Sequence, residues 1–347
     1  MVVATTGSKA FEGSQQTAAA RMAVDEVNAA GGINGMTLQL IVQDSQAKPS
    51  EGVSVAEKLI TQDKVSVLLS SDTSSVVKAV APVGQKYGIP MIATTATAPD
   101  ITDMNNTFMF RTIPHDGMLS ASFADFIMKQ PGVKKVGFLL RNDDWGRQSG
   151  ALLKAEFEKR GAIVPSLEYF QQGDASFLVQ TTKIKNQGVD AVVILALAAD
   201  AAVQMKEFNE LGFKGIISGL GSLAADQYIK MAGKYAENNY CANQYVYTID
   251  NTLNKTFVTS YMKANPNLPF PDKNAWGEYT AVKAFAEAIK IAKSDKPDKI
   301  RDALTKVKFE GITGEIAFDA KLQAHPNIYI TVNKAGKPEV LAAVPTK

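Results

Sequence analysis

Short apolar runs alternate along this chain with longer amphipathic stretches. The runs, several of them apolar at every position, predict buried strands at 38–44, 65–70, 90–94, 135–141, 191–197 and 215–219. The stretches between them follow the 3.6-residue period of a helix, at 14–30, 50–63, 74–87, 146–160, 176–187 and 200–211. Repeated alternation of strand and helix predicts an α/β fold with parallel sheets built from right-handed βαβ units.

The alternation occurs twice, over residues 1 to about 113 and about 118 to 245, which predicts two doubly wound, Rossmann-like lobes. Later elements follow another order: three helices, a strand at 314–320 and a hairpin within 328–344. We assign 1–116 with 247–322 to an N-terminal lobe and 117–246 with 323–347 to a C-terminal lobe. Several crossovers would then form a multi-strand hinge, with a ligand cleft between the lobes.

The length of the chain agrees with two lobes. Its composition argues against several classes of binding partner. A chain of 347 residues exceeds the roughly 250–300 residues at which one core stops growing. The 37 basic and 35 acidic residues are mixed along the chain, so neither a nucleic acid nor an anionic membrane is an expected partner. One cysteine, Cys241, and two histidines make a metal site or a cofactor unexpected.

No apolar run reaches the roughly 18 residues of a membrane span. The first residues also lack the basic and apolar regions of a signal peptide. If the protein is exported, we expect its signal to have been removed. No G-x-S-x-G, Walker or dinucleotide motif is present, so we expect no catalytic residues and no enzyme activity.

In open α/β sheets ligands bind beyond the carboxyl ends of the strands, so the loops at those ends are candidate sites. Here they are 5–14, 70–75, 93–100 and 141–150. The loops 70–75 and 93–100 are rich in Ser and Thr and lead into predicted helical turns. Each hydroxyl could cap its helix or donate to a bound carboxylate. Two such loops on adjacent strands favour the carboxylate.

Two other side chains in these loops, Trp145 and Glu12, each have two interpretations. Trp145 either packs against its lobe or offers a ring face to a ligand. Glu12, next to Phe11, is either a solvated residue or a partner for a cationic group in a cleft. His115 is interpreted as structural.

Four segments resemble the branched-chain amino-acid-binding proteins of bacterial ABC importers, the type I periplasmic binding proteins. They are "AAARMAVDEVNAAGGINGMTLQLIVQDSQAKPSEGVSVAEKLI" (18–60), "YGIPMIATTATAPDIT" (87–102), "FRTIPHDG" (110–117) and "DDWGRQSG" (143–150). The similarity spans essentially the whole chain. It implies a periplasmic, monomeric protein that captures a small carboxylate by lobe closure and delivers it to the permease subunits. The alternative is a ligand-sensing module of a receptor or regulator.

The resemblance also implies a carboxylate site. In the family, a Ser at the start of the third helix and the loop after the fourth strand hold the carboxylate. These roles fall on Ser74, with Ser75 as a close substitute, on the main chain of Thr95, and on the side chain and N–H of Thr97, with Ala96 between them. An aromatic residue that closes over the ligand falls on Trp145, and the far wall lies near Leu197.

One position departs from the family pattern. Gly221 stands where the amino-acid binders carry an acid that pairs with the ligand ammonium. A buried ammonium without a partner is unfavourable, so Glu12, Asp72 or Asp200 would have to replace that acid. Otherwise the ligand is a hydrophobic or aromatic carboxylic acid, or a keto acid, without an ammonium.

Overall fold

The computed structural model describes residues 1–346, which form two compact units. Unit 1 comprises Met1–Pro114 and Asp250–Pro326, and unit 2 comprises His115–Ile249 and Asn327–Thr346. The chain therefore passes from one unit to the other three times. The predicted passages lie after residues 116, 246 and 322.

The elements follow one another along the chain in four blocks. Unit 1 begins with β1 (Val2–Val3), α1 (Ala10–Ala29), β2 (Gln43–Asp44), α2 (Pro49–Thr61), β3 (Leu68–Ser71), α3 (Ser74–Tyr87), β4 (Met91–Ala93) and β5 (Met109–Arg111). Unit 2 follows with α4 (Asp116–Met128), β6 (Val136–Arg141), α5 (Asp144–Lys159), β7 (Leu167–Phe170), α6 (Leu178–Asn186), β8 (Ala191–Leu195), α7 (Ala198–Glu210), β9 (Ile216–Leu220), α8 (Asp226–Ala232) and β10 (Tyr240–Asn243). Unit 1 resumes with α9 (Thr252–Ala264), α10 (Lys273–Ala292), α11 (Pro297–Leu304), β11 (Lys308–Gly311) and β12 (Gly314–Ala317), and unit 2 ends with β13 (Ile328–Lys334) and β14 (Lys337–Val344).

Unit 1 contains a parallel five-stranded sheet in the order β2-β1-β3-β4-β5. Its hydrophobic core includes Val3, Leu69 and Ile92 on the strands, packed against Phe285 of α10. A second cluster, which includes Val77 of α3, packs on the other face. Helices thus cover both faces, as a parallel sheet requires.

Unit 2 contains a seven-stranded sheet in the order β14-β13-β10-β9-β8-β6-β7. The strands from β7 to β10 are parallel, and the hairpin β13–β14 extends the sheet antiparallel to β10. Every residue of β6 and β8 is buried, which explains their continuous apolar sequences. Numbered along the chain within each unit, the parallel strands of both units therefore lie across the sheet in the same order, 2-1-3-4-5.

The α/β class and the alternating elements predicted from the sequence are confirmed. The predicted strand 38–44 is reduced to Gln43–Asp44, because its neighbour β1 pairs only through Val2 and Val3. Four short strands, β5, β7, β10 and β11, escaped prediction, as did helix α4. Strands of three or four residues carry too few positions for a clear period.

Candidate functional site

The strand order places one crevice at the carboxyl edge of each sheet. In a sheet of order 2-1-3-4-5, ligands bind where the connections from the first and third strands turn to opposite faces. This point lies between β1 and β3 in unit 1 and between β6 and β8 in unit 2. The four loops selected from the sequence follow β1, β3, β4 and β6.

In unit 1, Ser74 begins helix α3 directly beyond the end of β3. Its hydroxyl oxygen accepts the N–H of Ala98 at 3.2 Å, so its own proton is available to donate. The capping role belongs to Thr73, whose hydroxyl accepts the N–H of Val76 at 3.5 Å. Ser75, half-buried in the same turn, adds an N–H at the positive end of the helix.

The loop 94–98 follows β4 and is buried throughout. The hydroxyl of Thr95 donates to the carbonyl of Asp72 and accepts from Gln16, both at 3.3 Å. Within residues 1–346 the backbone N–H groups of Thr95 and Ala96 make no hydrogen bond. Thr97 is 2% exposed. The loop thus fixes the Thr95 side chain and leaves backbone donors available.

Helix α10 supports this loop from behind. A Cβ added to Gly277 would lie 2.1 Å from the carbonyl oxygen of Thr94, so only glycine permits the approach. The next residue, Glu278, is fully buried and accepts the hydroxyl of Thr94 at 2.8 Å. Burial raises the pKa of the Glu278 carboxyl to about 7, against the opposing effect of hydrogen bonds from Ser71 and Thr94.

Arg111, at the end of β5, fastens the other end of the loop. Its guanidinium is buried and donates to the carbonyls of Ala98 at 2.7 Å and Pro99 at 3.3 Å. It also donates through Nε to the side chain of Gln323 at 2.5 Å. These bonds tie the carbonyl groups at the end of the loop to β5 and to the segment around Gln323.

The acidic candidates in unit 1 lie close to the switch point. Glu12 is buried in the first turn of α1, not solvated on a loop as one interpretation expected, and Phe11 beside it is half-buried. Asp72 is buried, and its two carboxylate oxygens accept the hydroxyl of Ser45 and the N–H of Thr73. Both carboxylate oxygens of Asp72 therefore already accept hydrogen bonds from the protein itself.

In unit 2, Trp145 lies in the hydrophobic core and is 6% exposed. Its indole N–H donates to the carboxylate of Asp116, which also accepts the hydroxyl of Ser149 at 2.7 Å. Of the two interpretations of Trp145, these contacts favour packing. The neighbouring Asp143 caps α5 by accepting the N–H of Gly146 at 2.9 Å.

Arg141 ends β6 and rests on that indole, with its guanidinium carbon 4.9 Å from the ring centroid. Its Nε and Nη2 atoms contact Asp143 at 2.8 and 2.5 Å. The side chain is buried, and its Nη1 atom has no hydrogen-bond partner within residues 1–346. Asp116, Trp145 and Arg141 therefore form one connected arrangement at the end of β6.

Three other predicted residues occupy the neighbouring strand ends of unit 2. Leu197 precedes α7 and is half-buried. Asp200 is buried in the first turn of α7, where one oxygen accepts the N–H of Gly173 at 3.2 Å and the other has no partner among residues 1–346. Burial raises the pKa of Asp200, while the Gly173 N–H and the charge of Arg141 lower it.

Gly221 follows β9 with φ +64° and ψ −63°, and its N–H donates to Ala242 at 2.9 Å. Residues with a Cβ rarely adopt this conformation. An acid at this position would therefore strain the backbone.

Asp116, Glu278, Arg111 and Arg141 were not selected from the sequence. Only Arg141 stood in a selected loop, directly after a strand. Asp116 lies 29 residues from Trp145, and Glu278 lies 184 residues from Thr94. No local pattern marks such pairs.

The described residues, 1–346, contain no helix that is both long and apolar enough to cross a membrane. They also contain no cluster of three or more His, Cys, Asp or Glu side chains placed to hold a metal ion.

A family model described as periplasmic binding protein matches residues 1–337. A leucine-, isoleucine-, valine-, threonine- and alanine-binding protein of Pseudomonas aeruginosa is 27% identical over 322 residues, 91% of this chain and 84% of that protein. A Leu/Ile/Val-binding protein homolog of Brucella suis is 26% identical over 324 residues, 92% of this chain and 85% of that protein.

Solved structures agree in fold. The branched-chain amino acid transporter substrate-binding protein LivJ of Streptococcus pneumoniae, in complex with isoleucine, has a TM-score of 0.89 at 26% identity, covering 99% of this chain and 97% of that one. A solute-binding protein of an ABC transporter from Rhodopseudomonas palustris, in complex with 3,4-dihydroxybenzoic acid, has a TM-score of 0.91 at 24% identity, covering 99% of this chain and 96% of that one.

Proposed function

The chain belongs to the periplasmic binding protein family, which confirms the resemblance found in the sequence, and we propose that it captures a small carboxylate and delivers it to an ABC importer. In this proposal the protein acts as a monomer outside the cytoplasm, its two units close on the ligand, and the permease subunits are its partners. Its relatives are solute-binding proteins, a class that binds and releases its ligand unchanged.

The observation that carries the proposal is the set of donors at the switch point of unit 1. The hydroxyl proton of Ser74, the N–H groups of Ser75, Thr95 and Ala96, and the buried Thr97 lie on two adjacent loops. A carboxylate accepts several such bonds at once, and the N-terminus of α3 favours its negative charge.

The proposed ligand is a carboxylate on a hydrophobic or aromatic body, either an organic acid or a hydrophobic amino acid. Two proteins of the same fold have been solved in complex with such compounds, one with isoleucine and one with 3,4-dihydroxybenzoic acid. Gly221 favours an acid without an ammonium, since this position provides no carboxylate and its backbone resists one.

A thermal-shift screen tests the proposal. The panel consists of branched-chain and aromatic amino acids, the matching keto acids, and benzoate with its substituted forms. A ligand that binds only the folded protein raises its Tm, by an amount that grows with ligand concentration. We expect organic acids to raise the Tm, and the amides of the same acids, which lack the carboxylate charge, to have no effect. Equal shifts with acid and amide would contradict a carboxylate site.

A further inference from the structure

Two buried polar atoms at the switch point of unit 2 have no partner. They are Nη1 of Arg141 and Oδ2 of Asp200, within residues 1–346. The two residues are 4% and 7% exposed. Buried polar atoms are normally hydrogen-bonded, and an exception beside a crevice indicates a place for a ligand group.

The two residues flank one crevice. Leu140 of β6 is paired with Leu195 of β8, Arg141 follows the first, and Asp200 lies in the first turn of the helix after the second. No ion pair joins Arg141 to Asp200, although the charge of Arg141 lowers the pKa of Asp200. Both side chains therefore lie at the carboxyl ends of neighbouring strands of one sheet.

We propose that Arg141 and Asp200 bind a hydroxyl group on the ligand, so that the transported compound is a hydroxylated carboxylic acid. This inference rests on the proposed function, and it assigns the second polar group of the same ligand. The hydroxyl accepts from Nη1 of Arg141 and donates to Oδ2 of Asp200.

Charged groups satisfy only one of the two atoms. An ammonium donates to Asp200 but leaves Nη1 of Arg141 without an acceptor. A second carboxylate accepts from Arg141 but is repelled by an ionised Asp200. A hydroxyl both donates and accepts and carries no charge, and Asp143 already balances the charge of Arg141.

The arrangement also gives Trp145 a role consistent with its burial. Its ring supports the guanidinium of Arg141, and Asp116 holds the indole N–H. Trp145 is therefore a positioning residue that acts through Arg141.

Calorimetric titration of matched acids tests the inference. One series is 4-methylpentanoate, 2-hydroxy-4-methylpentanoate and leucine, which differ only in the group beside the carboxylate. The other is benzoate, 3-hydroxybenzoate, 4-hydroxybenzoate and 3-aminobenzoate. We expect a hydroxylated acid in at least one series to bind the wild-type protein about tenfold or more tightly than its unsubstituted parent, the effect of a hydrogen bond to a charged group.

The variants Arg141→Lys and Asp200→Asn are expected to remove most of this advantage while the unsubstituted parent still binds. Matched controls are Arg160→Lys, in an ion pair with Asp125, and Asp190→Asn, which accepts the N–H groups of Lys134 and Lys135. Both controls should keep the advantage. Circular dichroism and Tm verify that every variant is folded.

Each other result overturns the inference in a distinct way. Equal affinity for parent and hydroxylated acids rejects the hydroxyl subsite and leaves the carboxylate site standing. Tighter binding of leucine or 3-aminobenzoate than of the hydroxylated acids shows that Asp200 binds an amino group instead. Loss of affinity for parent and hydroxylated acids alike in both variants assigns Arg141 and Asp200 to structure alone. Binding of no acid in either series rejects the proposed function, and this inference with it.

Discussion

The two units share one strand order but present different chemistry at the carboxyl edge of their sheets. Unit 1 offers neutral donors, namely hydroxyls and backbone N–H groups around Ser74 and the loop 94–98. Unit 2 offers Arg141 and Asp200, with Trp145 beneath the arginine. The same fold therefore supplies a polar surface in one unit and a charged, aromatic one in the other.

The difference shows two ways of making a binding surface rigid. In unit 1 the donors are set by the backbone, which Gly277, Glu278 and Arg111 hold in place from behind. In unit 2 the long side chain of Arg141 is held by the side chains of Asp143 and Trp145, whereas Asp200 accepts the backbone N–H of Gly173. Damage to unit 1 should therefore act through loop shape, and damage to unit 2 through side-chain orientation.

The largest expected effect is on Trp145. Trp145→Ala removes a buried ring from the core of unit 2, and we expect a loss of about 3–5 kcal/mol in the free energy of unfolding, measured by urea denaturation. The control Trp145→Phe keeps a ring beneath Arg141 and should lose less. A Trp145→Ala variant as stable as the wild type would show that the indole packs loosely and would restore its interpretation as an exposed ring.

The next effect concerns the support of the loop in unit 1. Arg111→Met removes the guanidinium bonds to the carbonyls of Ala98 and Pro99, and we expect a loss of about 2–4 kcal/mol in stability together with weaker carboxylate binding. Arg301→Met is the matched control, because Arg301 bonds the carbonyl of Thr107 at an exposed site. Unchanged ligand affinity in a folded Arg111→Met protein would show that ligand binding does not depend on this support of the loop.

The sequence predicted the candidate surface of unit 1 better than that of unit 2. Hydroxyls after an apolar strand are a local signal that selected the two loops, and the family resemblance then assigned Ser74, Thr95 and Thr97 within them. The sequence left Trp145 open between packing and an exposed ring, whereas the indole lies in the core and bonds Asp116 of another helix. The supports of the loop, Glu278 and Arg111, come from elements whose proximity only the fold establishes.

The pH dependence of unit 1 is a smaller effect. The folded protein holds the Glu278 proton up to pH about 7, whereas the ordinary pKa is 4.5. Between these values the folded state binds more protons than the unfolded state, so stability falls as pH rises from 4.5 to 7 and then levels off. We expect this loss to be on the order of 2–3 kcal/mol.

Urea unfolding at pH 5 and pH 8 measures this dependence. Glu278→Gln should remove the loss, whereas Glu57→Gln, at an exposed ion pair with Lys86, should retain it. The same difference between pH 5 and pH 8 in the wild type and Glu278→Gln would mean that this carboxyl ionises normally in the folded protein.

The central claim is that the hydroxyl loop of unit 1 binds the ligand carboxylate, and calorimetric titration of Thr97→Val with the tightest acid of the screen tests it most directly. Val keeps the volume of Thr97 and removes its hydroxyl. We predict a loss of about 1.5–3 kcal/mol in binding free energy, the range for a hydrogen bond to a charged group. The control Thr256→Val, on exposed α9, should bind as the wild type does. Unchanged affinity in a folded Thr97→Val protein would contradict the account.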